Sequence, residues 1–129
     1  NASWVDIHTG SFHRYINLCL SVNLLSWRQW IAAQGPLDNT ICDFWRCVWE
    51  TDVSSIIMLC KVVECMQDKC AQYWPTELFM AEEYDSIDVL MEEEEFLDYA
   101  IKRVFLLCHN SGKSRKGSTT ETHQINSRF

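Results

Sequence analysis

Residues 31–50, IAAQGPLDNTICDFWRCVWE, constrain the fold more than any other stretch of the chain. The Gly-Pro pair at 35–36 predicts a turn, because glycine tolerates unusual backbone angles and proline fixes φ. Thr40 followed by Asp43 is a variant of the capping box that begins many helices. Apolar residues then recur at helical spacing, which predicts a helix over 41–50. Its apolar stripe consists of Phe44, Trp45, Val48 and Trp49.

The sequence after this helix predicts strands. The continuous apolar run at 56–59 suits a strand that is buried on both faces. Pro75 ends the following segment, since proline cannot continue regular structure there. Alternation over 86–90 and strand-forming residues over 99–107 predict two further strands. This order of helix and strands predicts an α/β (α+β) domain with a mixed twisted sheet and flanking helices.

Two polar segments are predicted to lie outside the sheet. The four glutamates at 92–95 indicate a solvated connection rather than a metal or acid–base site. Residues 110–129 begin with a stretch rich in Ser, Thr, Gly and Lys, which predicts a loop or frayed tail.

Charge and cysteine content exclude several classes of partner. The formal net charge of −7 argues against nucleic acid or an anionic membrane surface as the main partner. The longest apolar stretch, 16–25, is too short and polar to predict a membrane span. The seven cysteines are odd in number, no signal-peptide pattern precedes them, and their five-residue spacings do not suit zinc knuckles. We therefore expect reduced thiols and no metal or other cofactor, with a zinc-binding Cys-rich protein as a remote alternative.

Six motifs, in order, resemble the N-terminal half of the catalytic domain of the protein-tyrosine phosphatases. They are NASWVD (1–6), IAAQGPL (31–37), DFWRCVWE (43–50), IIMLCKVVE (56–64), KCAQYWP (69–75) and the hairpin that begins YDSIDVL at residue 84. The resemblance implies that residues 1–129 are a partial tyrosine-phosphatase domain, incomplete in its sheet. It also implies that the helix at 41–50 is scaffold, so that Trp45→Ala or Trp49→Ala is expected to cost about 3–5 kcal/mol.

The resemblance implies a chemistry whose main groups this sequence does not contain. The family's nucleophilic cysteine and phosphate-binding arginine lie in an H-C-x5-R motif, and its acid lies in a W-P-D loop; neither motif is present. Cys108 with Arg115 is a decoy, because the spacing is C-x6-R and the cysteine precedes His109. By family position, Glu64 matches the glutamate that pairs with the phosphate-binding arginine, and Lys69 matches a lysine near the acid loop. No catalytic residue is assigned.

Two functional hypotheses follow. In the first, the parent protein hydrolyses phosphotyrosine in proteins through a cysteinyl-phosphate intermediate, in the cytoplasm or in the cytoplasmic part of a receptor, and this chain alone is inactive. In the second, the chain is a truncated pseudophosphatase that acts as a protein-binding or regulatory module and associates through an exposed sheet edge.

Several residues depart from the family pattern. Residues 7–29 form an atypical insert, for which a retained intron is the hypothesis and a functional insertion the alternative. His8 and His13 lie within it and are given no metal role. Cys60 stands where the family usually has Thr, and Asp85 stands in place of a glycine, which predicts a distorted turn.

Overall fold

A computed structural model of the chain describes residues 2–5, 18–24 and 27–122, with side chains over 30–122. Its elements, in chain order, are β1 (Ala2–Val5), β2 (Leu18–Leu24), β3 (Trp27–Ala33), α1 (Ile41–Glu50), β4 (Val53–Met58), β5 (Val63–Glu64), β6 (Gln67–Asp68), β7 (Ala81–Tyr84), β8 (Ile87–Phe96), β9 (Ala100–His109) and β10 (Ser114–Thr122).

Eight of the strands in these ranges form one mixed sheet, in the order β1-β3-β2-β4-β10-β9-β8-β7. The β4–β10 pair is parallel and the other neighbours are antiparallel. Strands β5 and β6 form a separate hairpin. A mixed sheet with a helix packed on it confirms the predicted α/β (α+β) class.

Helix α1 covers the predicted residues, but it does not begin as predicted. Its apolar stripe buries Phe44, Trp45 and Val48 against the sheet. The Thr40 side chain makes no capping bond to the helix. Its hydroxyl instead accepts the Leu37 N–H at 2.9 Å. The capping-box prediction was therefore wrong. The Thr40 hydroxyl bonds the turn before the helix instead of a backbone N–H of the first helical turn.

The glutamate run at 92–95 is the second half of strand β8, so the prediction of a solvated connection was wrong. Cations on β9 and β10 offset the repulsion between its carboxylates. Glu94 lies 2.8 Å from the Arg103 guanidinium, and Glu92 lies 2.7 Å from the Lys116 ammonium. The run remains extended because its partners supply the opposite charge.

The segment predicted as a loop contains strand β10, which corrects the prediction for 110–122. Strand β10 pairs with β9 on one side and runs parallel to β4 on the other, so it lies inside the sheet. Its threonines are well suited to a strand, since β-branched residues pack on a pleated surface. Residues 123–129 lie outside the described part of the chain.

Part of the atypical insert also lies in the sheet. Strand β2 and the first residues of β3, all within 7–29, pair with each other, and β2 pairs with β4. The described part of this segment is therefore a hairpin. The other residues of 7–29, including His8 and His13, lie outside the described residues, and the origin of the segment stays a hypothesis.

Asp85 does not distort its turn. It adopts φ 59°, the left-handed conformation that glycine favours and that Asp tolerates better than most residues. Tyr84 and Ile87 on either side pair in register. The turn closes a regular hairpin, and the prediction of distortion was wrong.

The core lies between α1 and the sheet and is centred on Trp45, which is 1% exposed. Its ring meets Tyr73 at 5.9 Å and Phe105 at 5.7 Å between centroids, both edge to face. Its indole N–H donates to the Tyr73 carbonyl at 2.7 Å. The core thus joins the helix to the segment that carries the candidate site.

Candidate functional site

An open cavity of about 500 Å³ lies between the loop before α1 and the β5–β6 hairpin. Three residues come from the loop and the others come from the hairpin and the segment after it. They are Leu37, Asp38, Asn39, Val62, Asp68, Lys69, Cys70, Ala71 and Gln72. The cavity therefore joins two of the sequence motifs, IAAQGPL and KCAQYWP.

Close backbone packing holds these two motifs together. The Ala71 N–H donates to the Pro36 carbonyl at 2.7 Å. A Cβ atom at Gly35 would lie 2.2 Å from the Cys70 Cβ, a distance that real side chains do not adopt. Glycine is required at position 35 because the Cys70 side chain occupies the place of a β-carbon.

The hairpin carries both residues that the sequence singled out, Glu64 and Lys69. Glu64 ends β5 and is half-buried, and its Oε1 accepts the Lys61 N–H at 3.0 Å. Lys69 follows β6, and its Nζ donates to Gln67 Oε1 at 3.3 Å. Cys65 and Met66 both have positive φ, as a two-residue hairpin turn of type I′ requires. The structure therefore places Lys69 in the cavity wall and Glu64 on the same hairpin.

The backbone of the KCAQYWP segment is anchored from the other side by buried polar contacts. The Tyr73 hydroxyl lies 3.0 Å from Thr119 Oγ1 in β10. Burial raises the pKa of Tyr73 well above its ordinary value, so this phenol remains protonated and hydrogen-bonded. Trp74 lies under the Arg103 guanidinium, 4.4 Å from the ring centroid. These contacts fix the position of the segment relative to the sheet.

Arg103 is itself buried and doubly paired. It bonds Glu94 at 2.8 Å and Glu121 at 2.9 Å, and its side chain is 7% exposed. A buried charge is tolerated only when it is paired and hydrogen-bonded. The three charged side chains join β8, β9 and β10, and none of them lines the open cavity.

Two thiols beside the cavity are buried. Cys60 and Cys70 are 5% and 3% exposed. A hydrogen bond with Cys70 lowers the pKa of Cys60, against the opposing effects of burial and Glu64. The same bond, together with burial, raises the pKa of Cys70.

The decoy residues, Cys108 and Arg115, do not line this cavity. Cys108 pairs with Ser114 across the β9–β10 hairpin, so Cys108 and Arg115 lie on two strands rather than in a loop before a helix. Arg115 instead bonds the Val48 carbonyl and Asp52 at the end of α1. The geometry gives these residues a structural role.

Within the described ranges, no group of three or more His, Cys, Asp or Glu side chains is placed to hold a metal ion. Helix α1 has ten residues, and no described helix is long and apolar enough to cross a membrane.

Comparisons with known proteins agree on one family. A family model described as protein-tyrosine phosphatase matches residues 1–127. The chain is 41% identical over 106 residues to the receptor-type tyrosine-protein phosphatase eta of Homo sapiens, covering 78% of this chain and 8% of the relative. It is 43% identical over 88 residues to the human receptor-type enzyme alpha, covering 67% of this chain and 11% of the relative. It is 38% identical over 104 residues to the human non-receptor type 2 enzyme, covering 78% of this chain and 25% of the relative. The chain thus spans a small part of these relatives' length.

Proposed function

The chain belongs to the protein-tyrosine phosphatase family, and we propose that it supplies the scaffold of a domain that hydrolyses phosphotyrosine in proteins. The observation that supports the proposal is the β5–β6 hairpin, in which Glu64 ends β5 while Lys69 follows β6 and lies in the wall of an open cavity. In such a domain a cysteine thiolate attacks phosphorus, an aspartic acid protonates the leaving phenol, and water then hydrolyses the cysteinyl phosphate. The chemistry uses no metal or other cofactor.

In this proposal Glu64 and Lys69 are supporting residues. A glutamate held on a short hairpin can form a charge-assisted pair with a phosphate-binding arginine and fix the direction of its guanidinium. The bond from the Lys61 N–H to Glu64 already restricts that carboxylate. Lys69 lies in the cavity wall, and its family position implies that it supplies positive charge near the acid loop.

The 129-residue chain alone is proposed to be inactive, because it contains neither H-C-x5-R nor W-P-D. Two of the relatives are named as receptor-type enzymes, and we place the domain in the cytoplasm or on the cytoplasmic side of a membrane. Phosphotyrosine proteins are the proposed substrates, and nucleic acid is not a proposed partner.

A chimaera tests the proposal. Residues 31–107 would replace the matching segment of the human receptor-type enzyme eta, and phosphate release from a phosphotyrosine peptide would be measured. We expect the chimaera to be active and the 129-residue chain to release no phosphate above the blank. A chimaera that melts cooperatively but releases no phosphate would contradict the scaffold role.

Glu64 is tested in the same chimaera. Glu64→Gln should lower kcat/KM by about tenfold to a hundredfold, because loss of one charge-assisted bond costs about 1.5–3 kcal/mol. Glu83→Gln, an exposed carboxylate on edge strand β7, is the matched control and should leave kcat/KM unchanged. Equal effects from both variants would remove Glu64 from the site.

A binding module is the second candidate, and exposed apolar side chains favour it. Phe79 and Phe96 are 75% and 73% exposed, and β7 is the last strand of the sheet. Such surfaces commonly mark association sites. A soluble monomer with a cooperative melt that binds a phosphotyrosine protein without hydrolysing it would favour the module, whereas aggregation or a molten state would favour a catalytic fragment.

A further inference from the structure

Strand β8 is longer than the strand on its outer side, so part of its outer edge is open. Strand β9 pairs with β8 as far as Phe96. Strand β7 pairs only with residues 87–90, and the Phe79 N–H donates to the next carbonyl, that of Met91, at 2.8 Å. Within the described part of the chain, residues 93–96 therefore pair with β9 alone. Their backbone groups that point away from β9 form an open edge, which can act as a template for a further strand.

The open part of β8 presents side chains of two kinds. Glu93 and Glu95 are exposed and form no ion pair within the described residues, whereas Glu94 is paired with Arg103. Alternate residues of a strand share a face, so Glu93 and Glu95 lie on one face and Glu94 and Phe96 on the other. The Phe96 side chain is 73% exposed. A strand added at this edge would meet two carboxylates on one face and an aromatic ring on the other.

The charge around this edge favours a basic strand. Residues 81–96 contain eight carboxylates and neither Lys nor Arg. Arg103 and Lys116 each pair with one glutamate of β8, and Lys102 lies opposite Glu95 in register. Opposite charges on neighbouring strands stabilise their pairing, and like charges directly opposite destabilise it. The glutamates therefore discourage pairing with an acidic strand, including the same strand of a second copy, and favour one that carries Lys or Arg.

We propose that residues 93–96 bind an extended basic segment of a partner protein by strand addition. The backbone of the segment pairs with the open N–H and C=O groups of β8. Lys or Arg at every second position lies opposite Glu93 and Glu95, and the apolar residues between them pack on Phe96. In this mode of recognition the backbone bonds give affinity and the alternating side chains give selectivity. The binding is independent of the proposed phosphatase activity, because none of residues 93–96 lines the open cavity.

Fluorescence anisotropy with the 129-residue chain tests the charge and the alternation. The probe is a fluorescein-labelled octapeptide in which Lys and Val alternate, and the control is a peptide of the same composition with its lysines grouped at one end. We expect the alternating peptide to bind about tenfold more tightly, because only it places all its cations on one face of a strand. Added salt should weaken this binding. No binding of the alternating peptide, or equal binding of the two, would overturn the proposal.

Backbone pairing is tested separately from charge. A third octapeptide repeats the alternating sequence with a methyl group on each backbone nitrogen, so it keeps its charge but cannot donate backbone hydrogen bonds. It should bind at least about tenfold more weakly. Hydrogen exchange resolved by residue should show that the unmethylated peptide slows exchange at the outward-facing amides of residues 93–96.

Two results of these measurements would overturn strand addition. Equal binding of the methylated peptide would mean that charge alone holds the probe. Slow exchange at the outward-facing amides before any peptide is added would mean that a second copy or another segment of the chain already occupies the edge.

Matched variants locate the site. Glu93→Gln/Glu95→Gln should weaken binding of the alternating peptide by about threefold to tenfold, since two opposite-charge pairs are lost. Glu50→Gln/Asp68→Asn removes two exposed carboxylates on α1 and β6 and should change the Kd by less than about twofold. Equal weakening by the two double variants would show that the net charge of the chain binds the peptide, and the assignment to β8 would be wrong.

Discussion

Single residues at the contact between the two motifs decide how the cavity forms. Gly35 has no side chain, and the Cys70 Cβ takes the space that one would need. Gly35→Ala should therefore destabilise the chain by about 1–3 kcal/mol, since the neighbouring backbone must move. Gly117→Ala is the matched control, because its added Cβ would meet the Leu107 side chain at an ordinary 3.8 Å. Urea denaturation measures the free energy of unfolding of both variants. Equal values for the two would contradict the close approach of Gly35 and Cys70.

The two tryptophans of α1 are buried to different extents, although the sequence predicts the same role for both. Trp45 is 1% exposed and hydrogen-bonded, whereas Trp49 is half-buried and stacks on His109 at 5.3 Å. Trp45→Ala should lower the free energy of unfolding by about 3–5 kcal/mol. Trp49→Ala should lower it by about 1–2 kcal/mol, since less area is lost from the core. Thermal or urea unfolding compares the two losses of stability. Equal losses would show that both tryptophans contribute equally, as the sequence predicts.

At the scale of elements, Arg115 joins β10 to the end of α1. Its guanidinium bonds the Val48 carbonyl and Asp52 and lies 4.7 Å from the Trp49 ring centroid. A cation at a helix C-terminus binds the free carbonyls there and interacts favourably with the helix dipole.

Arg115→Met should destabilise the chain by about 1–3 kcal/mol and should increase hydrogen exchange in the last turn of α1. Arg46→Met removes an exposed pair with Asp43, 2.7 Å away, and should change stability by less than about 0.5 kcal/mol. Hydrogen exchange followed by mass spectrometry distinguishes the two variants. Unchanged exchange at the end of α1 in Arg115→Met would show that β10 does not hold the helix.

The sequence predicted elements whose signal is local and missed those that depend on distant partners. Helix α1 was predicted because its apolar spacing is contained within ten residues. Strand β10 was missed because its polar composition is typical of a loop, and its pairing with β4 lies about 60 residues away. The glutamates of β8 were missed for the same reason, since Arg103 and Lys116 supply the compensating charge.

The candidate site was predictable only in part. Glu64 and Lys69 were identified from the family motifs, and their supporting roles stay a prediction; Glu64 ends β5 and Lys69 follows β6. Packing of the Gly-Pro turn against Cys70 was not predictable, because nothing in the sequence shows that these two segments meet.

At the scale of the whole molecule, exposed apolar side chains predict self-association. Phe79 is 75% exposed, and its positive φ of 63° and the bond from its N–H to the Met91 carbonyl hold that turn in a fixed conformation. Phe96, at the end of β8, is 73% exposed. Large exposed apolar groups near a strand edge favour association between copies, because burying them removes apolar surface from water.

The double variant Phe79→Glu/Phe96→Glu should therefore lower the weight-average sedimentation coefficient of the chain at high concentration. Met66→Glu is the matched control, because Met66 is 99% exposed but lies alone at the tip of the β5–β6 hairpin. It should sediment as the wild type does. If the double variant associates as strongly as the wild type, these side chains do not form the contact, and association must use another surface. If the wild type is monomeric throughout, the exposed phenylalanines do not drive self-association, and the prediction is wrong.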